Sequence, residues 1–262
     1  MKVVIEKVSK IYVNHRGEKL PVLSDVSLTV HPEEFVVLVG PSGCGKSTLL
    51  NMVGELLSPT AGEIYFTGLP DGRPPLVGVV FQEIGLFPWR SVYENIAFGM
   101  EEINLPDSEK KRRIAYYTDM VGLGGFERAY PNQLSGGMRQ RVGIARALAI
   151  QPDLLLMDEP FSALDAQTRT IMQEELLAIW EKTRLSTLYV THNIAEAVYL
   201  ADRIVVLSRR PGRVIKILSI GMPRAERTLP ENAAVFSAWT DDIWKSIKND
   251  ALEALREVDA ND

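Results

Sequence analysis

Apolar residues in the first third of the chain occur in short runs that are broken by glycine, proline and aspartate. Runs of this length and composition are typical of strands joined by turns. They are VVIEKV, VLSDVSLTV, EFVVLV, EIYFTG and LVGVVFQ, all before about residue 85. Among them, the stretch 46–56 has the spacing of a helix. The pattern therefore predicts a strand-rich N-terminal part interrupted by one helix.

After Pro88 the apolar spacing becomes helical, and it remains so to about Ile150. Beyond that point, short apolar strands alternate with helices in the order DLLLMDE, helix 166–183, TLYVTH, helix 194–201 and DRIVVLS. Strands that alternate with helices predict an α/β core. The region from about 88 to 150 is then expected to be a helical subdomain inserted into that core.

The last segment of the chain shows helical spacing again. Its apolar residues at that spacing are Trp239, Ile243, Ile247 and Leu255. A C-terminal helix is therefore expected to pack on the rest of the chain. The expected division is a main domain over 1–225 and a helical extension over 226–262.

Composition limits the class of protein. The 262 residues are 46% hydrophobic, which is enough for the core of one large domain, and the net charge of −5 argues against a nucleic-acid partner. The N-terminal segment MKVVIEKVSK lacks the features of a secretory signal, so the mature chain is expected to begin there. No apolar run reaches the roughly 18 residues that span a bilayer. The single cysteine, Cys44, fits a reducing compartment, and the cytosol is expected.

A glycine-rich loop, GPSGCGKST, follows the apolar run FVVLV and leads into the helical run TLLNMV. It matches the pattern G-x-x-x-x-G-K-[ST] in the expected context between a strand and a helix. Its glycines let successive N–H groups face one anion at the start of the helix. Lys46 is expected to add its charge at the β- and γ-phosphates, and Ser47 to bind Mg²⁺. The predicted nucleotide-binding residues of this loop are Gly40, Pro41, Ser42, Gly43, Cys44, Gly45, Lys46, Ser47 and Thr48.

Two carboxylates end the apolar run LLLMDEP. A buried strand normally excludes them, because an unpaired charge is costly to desolvate. Asp158 is expected to bind Mg²⁺ through its water shell, while Glu159, which points differently, is expected to orient or deprotonate the attacking water. Together with the phosphate loop, these residues predict an NTPase or a phosphotransferase.

A second glycine-rich stretch, LSGGMRQR, has no evident role within a single subunit. It resembles the signature motif of the ATP-binding cassette (ABC) ATPases. Other motifs of that family occur before and after it, in their usual order along the chain. Tyr12, after the first strand, resembles the aromatic residue that stacks on adenine, Gln82 the Q-loop glutamine and His192 the switch histidine. The D-loop of that family is matched by Ser162, Ala163, Leu164 and Asp165.

The resemblance implies a P-loop NTPase core with an N-terminal antiparallel β subdomain and an inserted α-helical subdomain that carries the signature. It implies that Gln82, Glu159 and His192 are catalytic, and that Ser47, Gln82 and Asp158 bind the Mg²⁺ that accompanies ATP. It also implies a head-to-tail homodimer in which the signature of one chain contacts the ATP held by the other chain. The signature residues are Leu134, Ser135, Gly136, Gly137 and Met138.

The chain departs from the family pattern directly after the switch histidine. Many members have aspartate there, whereas this sequence has Asn193. The exchange removes a charge next to the expected site and leaves its local hydrogen bonding open. Because Glu159 and His192 are both present, hydrolysis of ATP is still expected.

The segments FPWRSVYENIAFG and VLSRRPGRV resemble importer ATPases for nitrate, sulfonates, taurine and related small anions. That resemblance implies a membrane permease as partner, an external solute-binding protein that acts through it, and a peripheral location on the cytoplasmic face of the cell membrane. Phe87, Pro88 and Trp89 are expected to form the groove for a permease helix, while Ile96 and Phe98 are expected in the core of the subdomain.

Other classes of function stay open at this point. An ABC ATPase of another import or export system, or one not concerned with transport, would share these motifs. A small-molecule kinase could share the phosphate loop and the magnesium-binding residues, but it would not need LSGGM or the D-loop. An ABC ATPase that acts on nucleic acid would usually have tandem cassettes or a long coiled-coil insertion. This sequence has neither feature, so no nucleic-acid partner is expected.

Overall fold

The computed structural model describes residues 1–259, and its side-chain description leaves out positions 71, 251 and 253–259. Two compact units are present, residues 1–69 with 187–262 and residues 70–186. We call them the first and the second unit. None of the helices among the described residues is long and apolar enough to cross a membrane.

The elements confirm the mixed α/β class that the sequence predicts. In chain order they are β1 (Lys2–Val13), β2 (Lys19–Val30), β3 (Phe35–Val39), α1 (Lys46–Val53), β4 (Ala61–Thr67), β5 (Val77–Val80), α2 (Val92–Phe98), α3 (Asp107–Met120), α4 (Gly136–Ala149), β6 (Leu154–Asp158), α5 (Ala166–Thr183), β7 (Ser186–Thr191), α6 (Ile194–Leu200), β8 (Arg203–Leu207), β9 (Val214–Ser219) and α7 (Ala233–Asp259).

The first unit contains an antiparallel sheet and a mainly parallel one. The antiparallel sheet has the order β2-β1-β4, and the other group has the order β7-β3-β8-β9, with β3 parallel to both neighbours and β9 antiparallel to β8. All five residues of β3 and all six of β7 are buried. Apolar runs without alternation are typical of parallel strands covered on both faces. The core of this unit therefore lies around β3.

The second unit contains the parallel pair β5 and β6 and the helices α2 to α5. Helix α4 contacts both α2 and α3 and also contacts β5. Its buried side is formed mainly by small and aliphatic residues, including Val142, Ile144 and Leu148. This is the helical region that the sequence predicts between strands, and α4 begins within LSGGMRQR.

Strand β1 is longer than its sequence pattern suggests, so Tyr12 lies within the first strand and not after it. The pairing of β1 with β2 shifts between Ile5 and Val8, and Lys7 has a φ of 47°. A bulge of this kind resets which side chains point inward. The alternation in the sequence therefore stops at the bulge although the strand continues.

Two further boundaries and one strand differ from the predictions. Helix α1 ends at Val53 and not near 56, because Gly54 caps it and Glu55 turns away with a φ of 58°. Helix α6 ends at Leu200, one residue early. Strand β9 was not predicted. Its residues alternate between partly buried and exposed, but apolar and polar residue types do not alternate in step with that burial.

The C-terminal helix α7 belongs to the first unit and is held there by a buried side chain and an ion pair. Ile243 is fully buried, whereas Trp239 and Ile247 are only partly buried. Lys216 on β9 forms an ion pair of 2.6 Å with Asp242. The expectation for the side chain of Leu255 lies outside the described side chains, and the end of the expected extension at 260–262 lies outside the described residues.

Candidate functional site

The glycine-rich loop over residues 40–45 joins strand β3 to helix α1. Lys46, the first helical residue, is 5% exposed, and its Nζ donates hydrogen bonds to the carbonyl oxygens of Gly40 at 2.9 Å and Pro41 at 3.1 Å. The lysine is thus folded along its own loop at the start of α1. A positive side chain and a helix N-terminus at one point favour a phosphate group.

Gly45 has to be glycine for a steric and a conformational reason. Its φ is 107°, a value that side chains strongly disfavour, and a Cβ built there would lie 2.7 Å from Cδ2 of Leu23. Its neighbour Cys44 is 1% exposed, and burial raises the pKa of the thiol. Cys44 therefore stays protonated at neutral pH, and it can serve a bound phosphate through its backbone and not through a thiolate.

A turn within VLSRRPGRV, the segment that resembles importer ATPases, supports this loop. The N–H of Gly212 donates to the carbonyl of Val22 at 2.8 Å, and the carbonyl of Gly212 accepts from the N–H of Ser24 at 3.0 Å. A Cβ at position 212 would collide with the carbonyl oxygen of Cys44. The sequence shows a turn, RRPG, and a resemblance to importer ATPases, but neither indicates what the turn packs against.

His192 follows strand β7, which lies beside β3. The register pairs Thr191 with Val39, so His192 and the phosphate loop leave the sheet at the same edge. Ligands of parallel α/β sheets bind outside this carboxyl edge. His192 is exposed there, while Thr191 is buried. The structure therefore brings the switch histidine and the phosphate loop together within the first unit.

The structure shows the hydrogen bond that Asn193 makes at the position where many family members have aspartate. Its side-chain oxygen accepts the backbone N–H of Glu196 at 3.2 Å, which makes Asn193 the N-cap of α6. Asparagine and aspartate serve about equally well in that position. The cap thus survives the exchange without the charge.

Tyr12 lies on β1 and is 40% exposed. Lys10, two residues earlier, pairs with Leu23, the residue that touches Gly45. The Nζ of Lys10 lies 5.3 Å from the centre of the Tyr12 ring. The aromatic residue is thus linked to the phosphate loop through the pairing of β1 with β2. The ring is partly exposed, as a stacking contact of the kind expected with adenine requires.

The second unit holds the predicted carboxylates and Gln82. Its parallel strands pair Val80 with Met157, so Gln82, Asp158 and Glu159 emerge at one edge. Asp158 is 8% exposed at the end of β6, and Gln82 is exposed. Carboxylate and amide oxygens are the ligands that Mg²⁺ prefers, so this group suits the metal role expected of it.

Glu159 leaves the strand through a left-handed backbone conformation. Its φ is 42°, and its carbonyl oxygen accepts bonds from Ser162, from the N–H at 3.1 Å and from the hydroxyl at 2.9 Å. A residue other than glycine or asparagine in this region is strained by about 1 kcal/mol or more. Strain of this kind is frequent at functional sites, which agrees with the catalytic role expected of Glu159.

The signature and the D-loop lie next to each other in the second unit. Ser135 caps α4 by accepting the N–H of Met138 at 3.2 Å, and Leu134 is buried beneath. Gly136 faces Leu164, since a Cβ at position 136 would lie 3.5 Å from Leu164 Cδ2. The helix start at Gly136 thus lies beside Leu164 of the D-loop. The exposed members of the two motifs are Ser135, Ser162, Ala163 and Asp165.

Asp165 has a structural role in addition to the one expected of it. Its side-chain oxygen accepts the N–H groups of Gln167 at 3.1 Å and Thr168 at 3.0 Å, so it is the N-cap of α5. The backbone bond from Thr168 is the main reason that the pKa of Asp165 lies below its usual range. The carboxylate remains charged at neutral pH while it holds the start of the helix.

Aromatic side chains cluster after Gln82. The rings of Phe87 and Phe98 lie 4.5 Å apart, Trp89 is 5.6 Å from Phe87, and the guanidinium of Arg90 lies over both phenylalanines. Phe98 was expected in the core, and that was wrong: it is 40% exposed, while Ile96 is buried as expected. Trp89 is 71% exposed. We call Phe87, Trp89, Arg90 and Phe98 the aromatic cluster.

Comparison with known proteins places these features in a family. The sequence model of the ABC transporter family matches residues 23–162. The taurine import ATP-binding protein TauB of Yersinia pestis is 48% identical over 214 residues, which are 81% of this chain and 83% of that protein. The nitrate import ATP-binding protein NrtD of Synechocystis is 44% identical over 233 residues, 88% of this chain and 87% of that protein.

A solved structure has the same fold. It is the dimeric post-hydrolysis state of the ATP-binding cassette MJ0796 bound to ADP and Pi, and it superposes with a TM-score of 0.71 at 34% identity. The match covers 84% of this chain and all of the other. The α/β fold with its antiparallel subdomain and helical region is therefore that of such cassettes.

Proposed function

The chain belongs to the ABC transporter family and is an ABC ATPase, and from that premise we propose that it powers an importer for a small anion such as nitrate, a sulfonate or taurine. The observation that carries the ATPase part is the phosphate loop, in which the buried Lys46 lies beside the first turn of α1. The similarity to the taurine and nitrate ATP-binding proteins supports the import part. The solute is proposed as a class, because it does not contact an ATPase subunit.

In the proposed mechanism, charge and position do most of the work. Lys46 and the N–H groups at the start of α1 bind the β- and γ-phosphates. Glu159 takes a proton from a water molecule as the water oxygen attacks the γ-phosphorus, and the bond to the leaving ADP oxygen breaks. His192 holds the γ-phosphate from the edge of β7. Contacts that strengthen as charge moves in the transition state accelerate this step.

We propose that Ser47, Gln82 and Asp158 hold a magnesium ion together with the phosphates. The residue types fit this role, since all three offer oxygen atoms. When bound, the ion neutralises charge on the β- and γ-phosphates. Tyr12 is proposed to stack on the adenine through its exposed ring.

The proposed partners follow from exposed groups of the second unit. The signature is proposed to contact ATP held by a second copy of the chain, as a head-to-tail homodimer requires. The aromatic cluster is proposed to receive a helix of a membrane permease, because exposed Trp and Phe side chains around an arginine are typical of interface anchors. A solute-binding protein would act through that permease, and the chain would lie at the cytoplasmic face of the membrane.

The proposal is tested first by the exchange Glu159→Gln. We expect ATP turnover to fall by about 10² to 10⁴, the range that general bases contribute, while ATP binding persists. Turnover is measured by phosphate release, and binding by titration with a fluorescent ATP analogue. The control is Glu181→Gln, the same exchange at an exposed residue of α5. Unchanged turnover in a folded Glu159→Gln protein would show that Glu159 is not the base.

The transport part needs a separate measurement. The ATP turnover of the chain alone is compared with its turnover in the presence of candidate permeases in vesicles and in the presence of DNA or RNA. We expect stimulation by a permease and none by nucleic acid. Stimulation by nucleic acid alone would contradict the transport proposal and leave the ATPase assignment intact.

A further inference from the structure

Glu196 is a buried carboxylate that the mechanism proposed above does not use. It lies in the first turn of α6 and is 6% exposed. Removing a carboxylate from water is costly unless hydrogen bonds compensate for the loss. Its bonding partners therefore indicate what the residue stabilises.

The partners of Glu196 lie on strand β7. One carboxylate oxygen accepts the hydroxyl of Tyr189 at 2.9 Å, and the other accepts the hydroxyl of Thr191. Tyr189 and Thr191 are both buried. Glu196 thus joins the start of α6 to the end of the strand that leads into His192.

Two further bonds complete the arrangement. The oxygen of the Thr191 hydroxyl accepts the backbone N–H of Asn193 at 3.0 Å, and the side chain of Asn193 accepts the N–H of Glu196 at 3.2 Å. We call these residues, Tyr189, Thr191, Asn193 and Glu196, the Thr191–Glu196 network. It fixes the backbone on both sides of His192.

The chemistry of Glu196 sets the direction of these bonds. A carboxylate only accepts hydrogen bonds, so the Thr191 hydroxyl has to donate to it. The lone pairs of the threonine oxygen are then left for the N–H of Asn193. A neutral side chain without two acceptor oxygens at position 196 would not impose both bonds.

The other end of α6 is also fixed. Arg227 is 2% exposed, and its Nη1 donates to the carbonyls of Val198, Tyr199 and Ala201 at 3.1, 2.9 and 2.7 Å. Burial lowers the pKa of Arg227 to about 10, so it stays charged at neutral pH. Glu196 therefore lies on a helix whose C-terminal carbonyls are fixed by hydrogen bonds from Arg227.

We infer that Glu196 is a positioning residue for His192, and that it acts through the hydroxyl of Thr191. This inference rests on the catalytic role proposed for His192. Misplacement of a catalytic group by about 1 Å can cost about a hundredfold in rate. The network bonds the residues on both sides of His192 and so holds its backbone at the sheet edge.

The test compares two substitutions at one position. Thr191→Val keeps the shape and removes both hydroxyl bonds, and we expect it to lower kcat by about tenfold to a hundredfold with little change in KM for ATP. Thr191→Ser keeps the hydroxyl and should retain most of the wild-type kcat. Thr187→Val is the matched control, because it makes the same exchange at a buried threonine of the same strand. It should leave kcat unchanged.

Glu196→Gln provides a second route to the same outcome. The amide has one acceptor oxygen in place of two, so kcat should fall in the same way. The double variant Thr191→Val, Glu196→Gln should lose little more than the more impaired single variant, since both act through the same bonds. Independent, multiplying losses would contradict the inference.

A direct readout of the imidazole separates positioning from general destabilisation. The chain has three histidines, so histidine labelled with ¹³C gives few NMR signals, and that of His192 is assigned with His192→Ala. Thr191→Val should shift or broaden the His192 signal and leave those of His15 and His31 unchanged. An unchanged His192 signal together with wild-type kcat in a folded protein would overturn the inference.

The same set distinguishes the inference from the function on which it rests. If His192→Ala retains full ATP turnover, the role proposed for His192 is wrong. If His192→Ala is inactive while Thr191→Val and Glu196→Gln keep wild-type kcat, the proposed function stands and the positioning role of Glu196 is wrong.

Discussion

At the scale of single residues, the phosphate loop depends on close contacts as much as on charge. Lys46 is held by carbonyl oxygens of its own loop, and Gly45 admits no side chain beside Leu23. Gly212, far along the chain, admits none beside Cys44. The loop is therefore packed closely against Leu23 and Gly212.

Gly212→Ala is expected to weaken ATP binding and stability together. The added methyl group has no room beside the carbonyl of Cys44, and overpacking of this kind costs about 1 to 3 kcal/mol. Thermal unfolding and titration with ATP measure the two effects. Gly221→Ala is the control, because a Cβ there meets no atom within 4 Å. Wild-type values for Gly212→Ala would mean that the loop moves aside without loss.

Asn193 is expected to matter as a helix cap and not through charge. Asn193→Ala should lower the free energy of unfolding by about 1 kcal/mol, because the N–H of Glu196 loses its acceptor. Asn193→Asp should retain both stability and ATP turnover. Denaturant unfolding of the wild type and the two variants measures stability, and phosphate release measures ATP turnover. A much less active Asp variant would show that the missing charge is important at this site.

At the scale of elements, a charged clamp ties the entries of β5 and β6 together. Arg73 donates two hydrogen bonds of 2.7 Å to the carboxylate of Asp153, and the N–H of Leu76 donates a third at 2.8 Å. The arginine bond is the main reason that the pKa of Asp153 lies below its usual range. The clamp sets the start of the two strands whose other ends carry Gln82 and Asp158.

The clamp predicts a definite pH dependence. Because the folded pKa of Asp153 is lowered, the carboxylate stabilises the fold above the unfolded pKa of about 3.9, and this stabilisation is lost as the pH falls through the folded pKa. Asp153→Asn should reduce the free energy of unfolding at pH 7 by about 1 kcal/mol, a value discounted for the exposure of Arg73. The difference from wild type should begin to shrink near about pH 4 and vanish only once the pH has fallen below the folded pKa of Asp153.

Urea unfolding at several pH values measures this dependence. The control is Asp241→Asn, at an exposed residue of α7. It should show no pH-dependent difference from the wild type. A constant difference between Asp153→Asn and wild type over the whole pH range would mean that the exchange acts by packing and not by charge.

At the scale of the whole molecule, the second glycine-rich motif concerns assembly. The signature and the D-loop lie together in the second unit, and each presents exposed residues beside a helix start. The related cassette MJ0796 has been solved as a dimer. A two-fold, head-to-tail pairing would give each ATP a phosphate loop from one chain and a signature from the other.

Mixed dimers test this sharing of sites. Lys46→Ala and Ser135→Arg should each be inactive alone. A dimer with one of each has one site with both defects and one intact site, so mixing should restore part of the ATP turnover. The control is the Lys46→Ala protein taken through the same mixing procedure alone, since it can form only homodimers. If heterodimers form and turnover does not return, each chain uses its own signature.

Much of this protein was determined by short stretches of sequence. The phosphate loop, the strand-end carboxylates and the start of α5 at Ala166 were predicted correctly as local structures, because a few neighbouring residues fix the backbone in each. The family followed from the order of such motifs. The roles of their individual residues stay proposals.

Only the tertiary structure decided how those segments are supported. Gly212 packs on Cys44, Glu196 bonds to Tyr189 and Thr191, and Phe98 joins the aromatic cluster instead of the core. The bulge at Lys7 carries β1 on to Tyr12. These features depend on which surfaces meet after folding, and a spacing along the chain does not encode that meeting. The sequence therefore determined the chemistry that is available, and packing decided how it is held.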